Sequence, residues 1–268
     1  MVVEKRKNLE ENQVNKGIKM DMKKIYEDGN VSKYLIKGTT IAFMNTLRRT
    51  IMKDIACLAV DEVTFYENDS VIFDEMLANR LGLLPIKTDL KSYKKGDTVK
   101  LILEKEGPGI VTSKDIKCTD PKIEISDKKI YITKLGKDQH IKLEMNAIMD
   151  DSSKHAKHQP AIVSYHEIPI IKNNKKVENL KKLMDELPKN SIEEKAGKLF
   201  FIDPYNIKIQ NQPINILEEY GVEVEFSRDE FVLTIETIGQ LTQQEVINLA
   251  IEQLDSKFKE IKKEVEKL

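Results

Sequence analysis

Tryptophan is absent, and Cys57 and Cys118 are the only cysteines in 268 residues. Two thiols so far apart cannot make the cystine framework that staples small secreted domains, and a structural thiol is expected at each. Long apolar runs are missing too. Stretches such as Ile55–Val60 fall far short of the roughly 20 residues a membrane-spanning helix needs. After Met1-Val2-Val3 the chain turns to charge, without the apolar core of a signal peptide, so export is not expected and a cytoplasmic protein is. Nor is one sign of charge in excess: 44 Lys and Arg face 45 Asp and Glu, a net charge of −1. That balance leaves no global field to draw the chain onto DNA or an anionic membrane, which counts against an autonomous nucleic-acid binder. The spacings G-x-x-x-x-G-K-[ST], G-x-G-x-x-G, G-x-S-x-G and C-x-x-C do not occur, so no phosphate loop, nucleophile elbow or dithiol site is proposed by motif.

What the sequence does contain is strong helical patterning near the front. In Thr39–Val60 the apolar residues Ile41, Met44, Leu47, Ile51, Ile55 and Leu58 recur at spacings of three and four, one stripe of an amphipathic helix over the whole segment. Thr39 or Thr40 suits its cap. Arg48 and Arg49 are adjacent and therefore diverge by about 100° around the axis. Either they belong to a solvated face, or an arginine fork grips a carboxylate or backbone acceptor on another polypeptide.

Before this helix, Ile18, Met20 and Met22 alternate with polar residues, Asp28-Gly29-Asn30 offers a turn, and Val31–Ile36 resumes an extended run, a hairpin pattern. Residues 1 to 17 read as a flexible tail. After it come short runs read as strands at Glu62–Tyr66, Asp69–Phe73, Val99–Glu104, Ile123–Ser126, Ile130–Thr133 and Ile141–Met145, punctuated by Gly and Asp turns. They imply a mainly β module. Within it Asp74–Leu81 reads as a two-turn helix, with Asp74 as cap, Leu77, Leu81 and Leu84 on one face, Gly82 in the left-handed position after the end, and Pro85 barring continuation. His155 and His158 have an H-x-x-H spacing, but no Cys or third His lies nearby, and a structural or solvated pair is expected over a metal site. The acidic pairs Asp61-Glu62 and Asp150-Asp151 are read as solvated rather than metal-binding.

Residues 169 to 206 form a polar insertion. Val177, Leu180, Leu183, Met184 and Leu187 make a helical stripe ended by Pro188, and Ser191-x-x-Glu194 a capping box for another turn. Further on, Val222, Val224 and Phe226 alternate, Ser227-Arg228-Asp229 is read as a turn, and Phe231, Leu233 and Ile235 alternate again, a second hairpin. Thr242-x-x-Glu245 is a capping box, and Ile247, Ala250, Leu254, Phe258, Ile261, Val265 and Leu268 keep helical spacing to the end. Two long amphipathic stripes from opposite ends of the chain suggest a dimer interface, the alternative being that both pack on this chain's own sheet. The stripe residues expected there are Ile41, Met44, Leu47, Ile51 and Ile55 in front, and Ile247, Ala250, Leu254, Phe258, Ile261 and Val265 behind.

The blocks N-T-L-R-R-T-I at 45–51, D-E-V at 61–63 and D-E-M-L-A-N-R-L-G-L-L-P-I at 74–86 closely resemble the D-subunit family of archaeal RNA polymerase. That family is similar to the third subunit of eukaryotic polymerase II and to the N-terminal part of bacterial alpha. The resemblance implies an α+β fold: a bacterial-alpha-like dimerisation domain, an antiparallel sheet with two long helices, from residues 18–57 and 207–268; a mainly β insert domain at 58–168; and a small third domain at 169–206. It implies a non-catalytic assembly subunit of a nucleotidyltransferase complex, whose Mg²⁺ ligands lie in the largest subunit. It further implies a heterodimer with the small L subunit, recruitment of the small N and P subunits, and then of the second-largest (B) subunit. Docking of the large subunits falls by this likeness to Arg48, Arg49, Arg80 and the Leu81-Gly82-Leu83-Leu84-Pro85 turn. Many members hold an iron–sulfur cluster in the third domain on closely spaced cysteines. This chain has no cysteine after Cys118, so no cofactor is expected. The competing class is a stand-alone enzyme or redox protein, for which no motif speaks.

Overall fold

The computed structural model describes residues 20–172, 177 and 179–268; the expected tail at 1–17 and Ile18 lie outside them. The chain groups into two compact units, one of residues 1–27, 33–45 and 164–234, the other of 28–32, 46–163 and 235–268.

In the first unit the front hairpin forms as its pattern requires. Strands β1 (Asp21–Asp28) and β2 (Val31–Lys37) flank a two-residue turn in which Gly29 has φ of +53°, a conformation glycine adopts without a Cβ penalty. They join β9 (Ala161–Lys172) and β12 (Glu223–Thr237) in a sheet of order β1-β2-β12-β9. The second hairpin does not form: β12 runs unbroken for 15 residues. None of Ser227, Arg228 and Asp229 takes positive φ, which the tight hairpin turns need. The Ser227 hydroxyl instead donates to Asp229 and accepts the Glu230 N–H at 3.1 Å.

Helices α3 (Leu180–Glu186) and α4 (Ile207–Glu219) and the hairpin of β10 (Ile192–Lys195) and β11 (Lys198–Phe201) enclose a separate small core of Ile171, Leu183, Leu187, Ile192, Leu199, Leu217 and Val222. The expected helical turn after Ser191 is therefore strand β10. The Ser191 hydroxyl donates to the Pro188 carbonyl at 2.6 Å rather than capping a helix, and Ala196 and Gly197, both at positive φ, make the two-residue hairpin turn. This core reaches past residue 206 into Leu217 and Val222.

Helix α1 (Ile41–Lys53) is shorter than expected. Thr40 supplies the cap, its hydroxyl accepting the Phe43 N–H at 3.3 Å. After Lys53 the chain turns, and Cys57 opens strand β3 (Cys57–Asn68) rather than ending the helix. Short apolar runs do not distinguish helix from strand. Here the decision falls to β8 (His140–Asp150), which pairs with β3 from Cys57↔Asp150 to Asn68↔Ile141.

In the second unit β3, β8, β4 (Thr98–Glu106) and β6 (Ile116–Cys118) form one antiparallel sheet of order β3-β8-β4-β6, and β5 (Gly109–Thr112) pairs with β7 (Tyr131–Leu135). Strict alternation along β8 buries Ile141, Leu143, Met145, Ala147 and Met149, as a period of two on a half-buried sheet dictates. Two expected strands are absent. Asp69–Phe73 is a turn organised by Asn68, whose side chain accepts from the Ser70 N–H and donates to the Ile72 carbonyl, an Asx arrangement that competes with strand pairing. Ile123–Ser126 makes a single bridge, Ile86↔Ile125.

Helix α2 (Asp74–Gly82) is held by Leu77 and Leu81, both fully buried in the core that includes Leu101, Leu103, Ile132 and Leu143. Its ends differ from expectation. The cap residue is Phe73, without a side-chain bond, and the Asp74 carboxylate instead accepts from Asn68 Nδ2 at 2.7 Å. Gly82 is the last helical residue, and Leu83 follows with φ −93° and ψ 1°. The final turn tightens so that Leu83 and Leu84 N–H groups bond the Arg80 and Leu81 carbonyls, a 3₁₀ ending that needs no left-handed glycine. Last comes α5 (Gln243–Val265), opened by the expected capping box between Thr242 and Glu245.

Candidate protein-docking surfaces

The clearest unmatched surface lies on α5. Its first two turns bury Val246, Ile247 and Ala250. Beyond them Leu254 is half-buried, while Ile251, Phe258, Ile261 and Val265 are each more than half exposed, Phe258 by 65%. At about 1.5 Å per residue, 23 helical residues span roughly 35 Å. The last four turns thus carry an apolar stripe that nothing among the described residues covers. Ile251 escapes the sequence reading because Ile247 and Ala250 also satisfy helical spacing; only burial separates the two faces.

The front stripe behaves differently. Met44, Leu47, Ile51 and Ile55 are buried within this chain, 5% exposed or less, and of the five expected contact residues only Ile41 is exposed. The expectation that this stripe waits for a partner narrows accordingly to Ile41. Ile247 and Ala250 are also inside. The arginines diverge as the helical period requires: Arg49 is exposed, and Arg48 is half-buried with Nη1 donating to Met52 Sδ at 3.7 Å.

On α2 the expected docking block also divides. Leu81 and Leu84 are core residues, Gly82 and Pro85 are half-buried, and Leu83 is 62% exposed. The Arg80 guanidinium serves this chain, donating to the Ile132 carbonyl at 2.5 Å and lying 5.6 Å from the Tyr131 ring centroid. Three apolar residues unmarked by sequence reasoning, Val71, Phe73 and Met76, are strongly exposed there, Val71 by 85%. Met76 lies about 100° around α2 from Leu77, and Phe73 and Leu83 flank the helix as its two cap residues. Met76 on the helix is the one that helical periodicity could have marked; Val71 and Phe73 lie in the turn before it.

The candidates for chemistry are engaged structurally. His155 Nδ1 accepts the Lys157 N–H at 3.1 Å. His158 is fully buried and its Nδ1 donates to the Cys57 carbonyl at 2.8 Å, so the two rings do different work. Burial holds His158 below the usual histidine range. Asp61 pairs with Lys157 at 2.7 Å, and Asp150 and Asp151 with Lys95 at 3.3 and 2.5 Å. Burial pushes the Cys57 thiol up to about 12, which makes it inert as a thiolate. Among the described residues no group of three His, Cys, Asp or Glu is placed to hold a metal ion, and no helix is long and apolar enough to cross a membrane.

A mixed α+β chain whose β-rich unit carries a short amphipathic helix, and whose tail helix presents a bare apolar face, is of the class that works by docking other chains. Residues 61–170 match the family model described as the RNA polymerase Rpb3/RpoA insert domain. Over 88% of its length the chain is 36% identical to DNA-directed RNA polymerase subunit Rpo3 of Pyrococcus furiosus, covering 93% of that protein. It is 31% identical to the Rpo3 of Halobacterium salinarum, over 92% of this chain and 97% of the relative, and 30% identical to that of Methanopyrus kandleri, over 87% and 91%. The chain belongs to the Rpo3 family, the D subunits of archaeal DNA-directed RNA polymerase.

Proposed function

We propose that this chain is an assembly subunit of an archaeal DNA-directed RNA polymerase in the cytoplasm, acting by docking partners and carrying no active site of its own. Family membership supports the complex, and one observation supports the mode of action: Ile251, Phe258, Ile261 and Val265 stand exposed along one helix of a chain whose other apolar stripe is already buried. Surface of this kind on a water-soluble protein marks an interaction site. In this reading the small L subunit covers α5 and Ile41, forming a heterodimer that then takes up the N and P subunits. The second-largest (B) subunit meets Leu83 with Phe73 and Met76, and Arg49 is the arginine available to a large subunit. Arg48, Arg80, Leu81, Gly82, Leu84 and Pro85 support these surfaces from behind. The functional parts are a dimerisation domain from 18–57 and 207–268, an insert domain at 58–168 and a third domain at 169–206. Nucleotidyl transfer belongs to the assembled enzyme.

The iron–sulfur cluster of some relatives does not fit here. The core to which the third domain contributes Ile171, Leu183, Leu187, Ile192 and Leu199 offers no thiolate, and a cluster needs several. Co-expression with L followed by size-exclusion chromatography tests the main claim: a stable 1:1 complex is expected, and failure to co-elute overturns it. Purified chain is expected to carry no iron and no visible cluster absorbance; stoichiometric iron would overturn the cofactor claim.

A further inference from the structure

We infer that, when no other polypeptide covers α5, two copies of this chain pair through it as an antiparallel coiled coil. This pairing stands on the chain's own charges and does not require the heterodimer, although both use the same face. Ile251, Leu254, Phe258, Ile261, Val265 and Leu268 are separated alternately by three and four residues. That is a strict a/d heptad seam; Ile247, four residues before Ile251, continues it into the buried start of the helix, and the seam is free from Ile251 onward. Aligned antiparallel, with Phe258 of one copy against Ile261 of the other, the seam matches itself. Leu254 meets Val265, Ile251 lies opposite the turn that follows Val265, and the two-fold axis repeats each layer.

The flanking charges select this arrangement. Asp255 and Lys262 fall at e, Lys257 and Glu264 at g. In a parallel pair each Lys257 would face Lys262 of the other copy, like charge against like. In the antiparallel pair Lys257 faces Glu264 and Asp255 faces Lys262, opposite charges at every flanking contact and each occurring twice. Within one copy Lys257 bonds Asp54 at 2.6 Å, Asp255 bonds Lys259 at 2.5 Å and Glu264 bonds Lys267 at 2.6 Å. These three lysines are at least half exposed, so the bonds are weak and exchangeable. A two-fold pairing closes on itself and does not grow into filaments.

Sedimentation equilibrium on the full chain alone, across micromolar concentrations, tests this. A monomer–dimer equilibrium is expected. Lys257→Glu places two like-charge contacts in the antiparallel dimer and is expected to weaken it on the order of tenfold, as is Glu264→Lys. The double variant K257E/E264K restores complementarity and wild-type affinity, and the two single variants mixed together form a heterodimer tighter than either self-pair. All these positions are solvent-exposed, and unchanged thermal unfolding verifies that each variant is folded. A chain that stays monomeric overturns the inference. So does a K257E variant that pairs as well as or better than wild type, the result a parallel coil would give. Neither outcome affects 1:1 binding to L, which is read separately by mixing the two proteins.

Discussion

Ile51→Ala and Ile261→Ala are the same chemical change in two helices that sequence patterning places in one interface, and the structure assigns them opposite consequences. Ile51 is fully buried and Ile261 is 59% exposed. Truncating a fully buried Ile costs about 2–5 kcal/mol, the lost transfer energy plus the cavity left behind. At roughly 2–4 °C per kcal/mol for a chain of this size, Ile51→Ala should lower the thermal midpoint of the isolated chain by about 5–15 °C. Measured below the concentration at which the chain pairs with itself, Ile261→Ala should change it by less than about 0.5 kcal/mol, the usual range of surface substitutions. Binding should invert the ranking. Fully burying an Ile side chain is worth about 1.5–3 kcal/mol, and more than half of Ile261 remains to be covered. Its loss should therefore weaken the L complex by roughly 1–2 kcal/mol, about five- to thirtyfold in Kd. Differential scanning calorimetry of the isolated chain and titration calorimetry against L read the two effects separately. Equal loss of stability in both variants, or a destabilised Ile261→Ala that binds L normally, would refute the assignment of one stripe to the core and the other to the partner.

Gly239 has φ of +115°, and a Cβ there would lie 2.7 Å from Ser126 Oγ; Gly239→Ala should cost about 1–3 kcal/mol in urea unfolding, more than Gly197→Ala, where φ is +75° and the space is open. Arg80→Lys removes the planar guanidinium from Tyr131 and the Ile132 carbonyl, an expected loss of about 1–2 kcal/mol by the same assay. His158 has a folded-state pKa held below 6.5 by burial. The unfolded chain therefore takes up a proton as pH falls through the ordinary histidine range while the folded chain does not, and stability drops from about pH 6.5 downward. His158→Gln should flatten the fall of thermal midpoint between about pH 7 and 5.5, leaving the part due to His166, whose pKa is lowered in the same way; an unchanged slope would show that His158 is not the group responsible.

How much is legible from residues alone varies with how local the controlling physics is. The capping box at Thr242 and Glu245, the Gly29 turn and the alternation of β8 follow from bonds and periodicities within a few residues, and each forms as its pattern dictates. The end of α1 is not legible, because Ile55–Val60 satisfies both periods and only pairing with β8 favours the strand. Ser191 and Ser227 mislead for a related reason: a hydroxyl can cap a helix or bond nearby backbone, and the neighbours available in the fold decide which.

The candidate site divides along the same line. Sequence by itself determined that the chain carries two amphipathic stripes, that its charges balance, and that its residue blocks match a polymerase assembly family. Tertiary structure alone decided that Met44, Leu47, Ile51 and Ile55 are spent on this chain's own interior while Phe258, Ile261 and Val265 remain bare, and that Arg80 is engaged with Ile132 and Tyr131. Periodicity reports which side chains share a face of a helix. What covers that face depends on residues distant in sequence, and only the folded chain brings them into place.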